Sequence, residues 1–335
     1  MITSNGEELS DICIGTGELE KNYNDTFESI IKKYNKFIDI GFNFFDTGSV
    51  YDNFRSIKIL KEVYKSNKNK IFLNNKFHPK CSSKQDIIKD TENILRTLNI
   101  ECLDMLQNHW PNNKLSDEDI ISTFMKLKKD GKIRYFGFSN PYTKTLKNQN
   151  TLSQLDSLQV ETNIYQNSLG LNFEKLVLGY SVFRYIKSSN FKNENITFLD
   201  HLKFILEHGV TPIIRTLNVE KIKPLRELNK LNLNKNKIKI LKDLYAKKTI
   251  YLNLNDLNFP KHIKTYKNLK DAYENILKHN PSPKEISNEI KSENIIKPIK
   301  VTRNNSKYSI LDGIDRLWGH KINKTSQIEC IVVDI

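Results

Sequence analysis

The sequence predicts an α/β chain: a (β/α)8 TIM barrel with an atypical or incomplete eighth unit, followed by a small α+β domain. Three observations lead there. Short apolar runs alternate with longer amphipathic segments over the first two thirds of the 335 residues, the pattern of repeated βα units. Six successive runs end in polar side chains, which a closed barrel gathers on one rim and an open doubly wound sheet would spread over roughly 25 Å at about 4.8 Å per strand. From about residue 247 the order of elements changes, so the barrel is assigned to 1–245 and a second domain to 246–335.

The elements follow in chain order. A short strand is read at "DICIGTG" (11–17), whose partial GxGxxG match carries little weight. "GFNFFDTGSVYDN" (41–53) passes from an apolar strand ending in Asp46 to a loop holding Tyr51. "IFLNNK" (71–76) ends in Lys76, and "SSKQDIIKDTENILRTLN" (82–99) has the Ser start, early acids and Ile/Leu spacing of a helix. "LDMLQNHW" (103–110) brings His109 to a strand end, and "SDEDIISTFMKLKKDGK" (116–132) has a Ser cap and a Gly at its far end. "IRYFGFSN" (133–140) ends in Ser139 and Asn140, and "LDSLQVETN" (155–163) carries Gln159. After a longer insertion, the helix "FLDHLKFILEHG" (198–209) leads into "VTPIIRTLN" (210–218) with Arg215. These are seven strands; "TIYLNLN" (249–255) and "IIKPIKVTRNN" (295–305) are the candidates for an eighth.

Composition bounds the function classes. With 38% hydrophobic and 27% charged residues and no apolar stretch near the roughly 18 residues of a membrane helix, the chain reads as a globular, non-membrane protein. The N-terminus lacks a basic region followed by an apolar core, so no secretory signal is expected and Met1 is taken as the start. Cys13, Cys81, Cys102 and Cys330 show no CxxC spacing, which argues against a zinc site or a disulfide framework and fits a reducing cytoplasm. The net charge of +14 is spread through Lys/Asn/Ile-rich stretches such as "NKLNLNKNKIKILK" (229–242), so it reflects compositional bias more than a nucleic-acid surface.

Taken singly, Asp46, Tyr51, Lys76 and His109 have ordinary roles as cap, packing, solvated or core residues. Together, at three consecutive strand ends, they can do chemistry. A phenol of ordinary pKa near 10 is a weak acid for protonating a carbonyl oxygen during hydride transfer. An ammonium beside it favours the phenolate, a carboxylate holds that ammonium charged and in place, and an imidazole can orient the carbonyl. In order and spacing the four resemble the catalytic tetrad of the aldo-keto reductases, and "GFNFFDTGSVYDN", "NILRTLNIECLDMLQNHWP" and "LKKDGKIRYFGFSNP" look like that family's motifs over about residues 10–220. The resemblance implies NADP or NAD bound at the barrel mouth, with Ser139, Asn140 and Gln159 holding the carboxamide. Where many members place an aromatic residue on the nicotinamide face, it puts Arg215. It also implies an eighth unit gripping the adenosine phosphate, often with a basic residue, which is not evident beyond residue 220.

The last ninety residues end strand, turn, strand, helix, strand. "KPIKV" (297–301) and "YSILDGIDRLWGH" (308–320) resemble a ParB/sulfiredoxin-like domain. Asp312, Gly313 and Arg316 form its candidate phosphate or nucleotide site: glycine allows close approach, the following helix offers N–H groups and the guanidinium supplies counter-charge. The plainer reading is that Asp312 and Arg316 brace a hairpin. No cysteine stands in the loop and no helix-turn-helix follows, so a binding or regulatory role is expected. The functional expectation is an NAD(P)-dependent oxidoreductase interconverting a carbonyl and an alcohol, on a small molecule such as a sugar or nucleotide-sugar. The alternatives are a non-catalytic dinucleotide sensor or platform and, behind it, a nucleic-acid binder.

Overall fold

A computed structural model of the protein describes residues 6–17, 25–111, 114–141, 143–165, 168, 169, 171, 173–184, 186, 195–246, 249–258, 283–291, 298–304 and 307–333. The chain divides into two compact units, the first chiefly the residues up to Leu244 and the second chiefly Tyr245–Ile335.

In the first unit eight parallel strands close a barrel in chain order: β1 Cys13–Gly15, β2 Phe44–Asp46, β3 Phe72–Phe77, β4 Leu103–Asn108, β5 Ile133–Ser139, β6 Ser157–Glu161, β7 Leu176–Tyr180 and β8 Val210–Ile214. Pairing of Cys13 with Ile213 and Ile14 with Ile214 joins the last strand to the first. The helices begin where local chemistry directs. Ser83 caps Lys84–Leu98, and capping boxes open Asp117–Lys129 (Ser116 with Asp119) and Phe198–Glu207 (Thr197 with Asp200). Gly131, just past the second of these, takes a positive φ of 68°.

Two strand expectations are corrected. The missing strand is the seventh, β7, inside what reads as an insertion, and Val210–Ile214 is therefore the eighth. Neither proposed eighth strand enters the barrel: β9 (Thr249–Asn253) and β11 (Ile299–Asn304) belong to the second unit's sheet. The eighth unit is complete as a strand, the short helix Val219–Ile222 and the 3-10 turn Lys223–Lys230. β7 escapes a periodicity reading because it is five residues long and starts well before a roughly 30-residue βα repeat would end. It also contains Gly179, where a Cβ would come within 2.7 Å of Val210 Cγ1 and 3.0 Å of Thr162 Oγ1, so neighbouring strands demand the glycine.

Strand alternation sorts the barrel interior into layers. Cys13, Phe44, Phe72, Met105 and Leu178 form an apolar layer, with Leu9, Tyr135, Leu176 and Ile213 packed against it. Two residues further along the same strands stand Asp46, Asn74 and Gln107, and one step beyond them Lys76 and His109. In the second unit a five-stranded mixed sheet has the order β10 (Leu257–Asn258), β12 (Lys307–Asp312), β11, β13 (Gln327–Val332), β9. Its core is Leu252, Leu257, Ile299, Val301, Ile310, Leu317, Ile328 and Cys330. Helix Ile314–Ile322 links β12 to β13. Part of "KPIKV", residue 297, lies outside the described residues.

His201, on the inner face of helix Phe198–Glu207, is fully buried, and burial holds its imidazole down to about 3. The unfolded chain takes up that proton near the ordinary value of about 6.5, so the contribution is present above that pH and is lost as pH falls from it toward 3. Urea unfolding between pH 7 and 4.5 is expected to show stability falling with pH. In His201→Leu the slope should be shallower by about 1.4 kcal/mol per pH unit below about pH 5.5, and by about half of that near 6.5.

Candidate active site

Asp46 ends β2 and Lys76 stands near the end of β3, so their side chains project from adjacent strands into the barrel. Lys76 Nζ donates to Asp46 Oδ1 at 2.6 Å and to Thr47 O at 3.0 Å. With side chains 1% and 5% exposed, this is a buried ion pair and not a surface contact. Asp46 Oδ1 also accepts from Asn74 Nδ2 and Gln159 Nε2, each at 2.8 Å. Burial pushes Lys76 down, but the charge of Asp46, and then that of Tyr51 in its phenolate form, outweigh it and leave Lys76 above its ordinary value.

Tyr51 begins a 3-10 turn (Tyr51–Phe54), with its N–H donating to Gly48 O at 3.0 Å. The Lys76 ammonium lies 5.3 Å from the centroid of its ring, within cation–π range. His109, following β4, sets its ring edge-on to Tyr51 at 5.3 Å and 85° and lies parallel to Trp110 at 6.0 Å. Burial, then the nearby Lys76 charge, pulls His109 down to about 3. It is therefore a neutral imidazole at physiological pH, able to orient an oxygen but not to supply an acid proton. The four predicted tetrad residues are thus brought together on one rim.

Ser139 ends β5, and Asn140 follows it in the left-handed region at φ 54°. Ser139 Oγ donates to Gln159 Oε1 at 3.2 Å, Asn140 N–H to Gln159 O at 2.8 Å, and Asn140 Nδ2 to Ser139 Oγ at 3.2 Å. These three buried residues form one hydrogen-bonded strip, joined to the tetrad through Gln159 and Asp46. A strip of amide and hydroxyl donors and acceptors fits a primary carboxamide. Arg215 is exposed beyond β8, its Nη1 donating to Gly17 O at 3.4 Å. The aromatic side chain at the end of β7 is Tyr180, whose O–H donates to Asn140 Oδ1 at 2.5 Å. Tyr180 was hidden with its strand; "LVLGY" was the available signal.

Residues 11–174 match the family described as aldo/keto reductases. This part of the chain is an aldo/keto reductase family domain. Methylglyoxal reductase YeaE of Escherichia coli is 32% identical over 103 residues, covering 31% of this chain and 36% of that protein. Probable aldo-keto reductase 1 of Glycine max is 24% identical over 180 residues, covering 49% and 51%. The chain thus spans about a third to a half of these curated relatives. Solved aldo-keto reductases share the fold. Tm1743, solved with the inhibitor epalrestat, superposes at a TM-score of 0.63 and 21% identity over 73% of this chain and 98% of that one. An enzyme of Klebsiella pneumoniae solved with NADPH gives 0.62 and 20% over 73% and 94%.

In the second unit Arg316 Nη2 lies 3.4 Å from Asp312 Oδ2, so the guanidinium is folded back over Gly313, where a Cβ would meet it at 2.6 Å. Gly313 has φ 97° and leads helix Ile314–Ile322 with no side-chain cap. Lys300, fully buried on β11, places its Nζ 3.9 Å from the same Asp312 oxygen. Its place directly opposite Asp312 follows from β11–β12 register, which the motif alone does not specify.

Lys76→Met leaves the Asp46 carboxylate without its cation. Chemical denaturation is expected to show a loss of about 3 kcal/mol, at the low end for a broken buried pair because Asn74 and Gln159 still donate. Adding Asp46→Asn should recover most of it.

Proposed function

We propose that the chain is an NADP- or NAD-dependent oxidoreductase interconverting a carbonyl and an alcohol, with Tyr51 as the proton donor in reduction. The observation that carries this reading is the Asp46–Lys76 ion pair lying beside the Tyr51 ring, with a neutral His109 edge-on to it. The bound dinucleotide would supply hydride. Ser139, Asn140 and Gln159 would hold its carboxamide, and the Tyr180 ring would lie against the nicotinamide. Tyr51 would deliver a proton to the carbonyl oxygen as charge develops there, Lys76 would stabilise the phenolate left behind, and His109 would orient the carbonyl.

For Arg215 we propose a different part from the contact with the nicotinamide face that the resemblance implies. It opens the loop after β8, where the family resemblance calls for a basic residue on the adenosine phosphate, so we assign it to phosphate and Tyr180 to the ring. Arg215→Ala is expected to weaken NADPH binding about tenfold, the worth of one charge-assisted hydrogen bond, and to leave NADH nearly unchanged. Fluorescence titration with both dinucleotides checks this.

For the second unit we propose a ParB/sulfiredoxin-like role in binding a phosphate or nucleotide at Asp312, Gly313 and Arg316. The uncapped helix start and the two cations sharing Asp312 support it. A sugar or nucleotide-sugar substrate would join phosphate recognition to carbonyl chemistry in one molecule.

The deciding experiment incubates the purified chain with NADPH or NADH and a panel of small aldehydes, dicarbonyls and sugars. Turnover is expected, and Tyr51→Phe should lower kcat by about 100-fold or more while dinucleotide affinity stays within about twofold. Dinucleotide binding without turnover on any carbonyl would favour a sensor instead.

A further inference from the structure

Below the tetrad a line of buried side chains crosses the barrel interior. Asn74 Nδ2 donates to Asp46 Oδ1 at 2.8 Å and to Gln107 Oε1 at 3.0 Å. Gln107 Nε2 donates to Ser157 Oγ at 2.9 Å, and Ser157 Oγ–H to Met105 Sδ at 3.0 Å. Asn74, Gln107, Ser157 and Met105 are all wholly buried. The line runs between two groups that have no hydrogen to give, a carboxylate and a thioether. Its sense is therefore forced: Ser157 gives to sulfur, Gln107 gives to Ser157, and Asn74 gives both amide hydrogens away, one to each side.

The geometry agrees with that bookkeeping. Asn74 Oδ1 is buried with no hydrogen-bond partner among the described residues, a cost of about 1–3 kcal/mol. A flipped amide would bring that oxygen against the Asp46 carboxylate, which is worse. The far end is built as tightly: a Cβ on Gly137 of β5 would collide with both the hydroxyl and the backbone of Ser157. Packing alone would be met by leucines at 74 and 107, so the amides answer to the carboxylate.

We propose that Asn74, oriented by Gln107, is a positioning residue that fixes Asp46 and tempers its charge for the Lys76–Tyr51 pair. This deepens the proposed oxidoreductase reading and rests on its assignment of Tyr51 as the acid. A donor on Asp46 draws off part of the negative charge that Lys76 and Tyr51 would otherwise feel. Among the described residues, the titratable and charged groups around this cluster include Cys13 from β1, Tyr51 from its turn, His109 after β4, His78 acting on His109 from the loop after β3, and Arg215 after β8, bonded to the Gly17 carbonyl beside the Tyr51 ring. Cys13 is held well above its ordinary value by burial and stays a neutral thiol, and His109 stays neutral, so Asp46, Lys76 and Tyr51 set the balance.

The test reads Tyr51 directly and without turnover. Phenolate absorbance is followed against pH in the parent and in Asn74→Leu, each with its own Tyr51→Phe background subtracted. Asn74→Leu is expected to move the Tyr51 titration upward by about one pH unit, because the undiluted Asp46 charge disfavours the phenolate. Where a carbonyl is reduced, the alkaline limb of kcat/KM should move with it. Gln107→Leu, which leaves Asn74 in place but unheld, should give a smaller shift of the same sign and serves if Asn74→Leu does not fold. An unchanged or lowered Tyr51 titration in a folded variant, judged by circular dichroism and melting, overturns the inference. An upward shift in a protein that reduces no carbonyl leaves the inference standing and removes the oxidoreductase reading.

Discussion

The buried pair of Lys76 and Asp46 constrains the rest of the barrel. Two opposite charges removed from water lose more hydration than their attraction returns unless further hydrogen bonds complete the site. Thr47 O, just past β2, Asn74 on β3 and Gln159 on β6 supply those bonds. The interior is accordingly stratified, apolar around Phe44, Phe72 and Leu178, and polar from Asp46 to the rim. A barrel filled with aliphatic side chains at 74 and 107 would close as well but would hold the pair less firmly.

The same pair divides labour among the titratable groups of the rim. Lys76 is kept protonated by its partner, and that charge, together with burial, keeps His109 neutral. In the proposed reading Tyr51 is then the exchangeable acid of the tetrad. Gln159 touches both halves of the site, accepting from Ser139 and donating to Asp46, so the Ser139–Asn140 strip and the buried ion pair share one side chain. Its two amide ends are distinguished by what they face, a hydroxyl on one side and a carboxylate on the other.

The second unit keeps its own sheet and core. Its loop before helix Ile314–Ile322 concentrates two cations on one carboxylate, with Lys300 wholly buried and Arg316 closed over Gly313. That closure is what the plainer reading of Asp312 and Arg316 expects, while the buried lysine is more than a brace needs.

Asp46, Lys76, His109, Ser139 and Gln159 were legible from the sequence because each stands at or near the end of an apolar run, and the two-residue alternation of a strand fixes its face locally. Helix starts at Ser83, Ser116 and Thr197 are equally local, since a cap and its partner lie three residues apart. β7 was not legible, because Gly179 answers to Val210 and Thr162 and not to its own neighbours. Without that strand, Tyr180 at its end cannot be placed from the sequence. Nor does the sequence join Asn74 to Gln107, 33 positions away, or Gln159 to Asp46, 113 away. Sequence alone determined which residue types reach the rim, because alternation and capping are short-range. Only the closed barrel decided which of them touch, because strand register and the direction of each amide are set by groups far off in the chain.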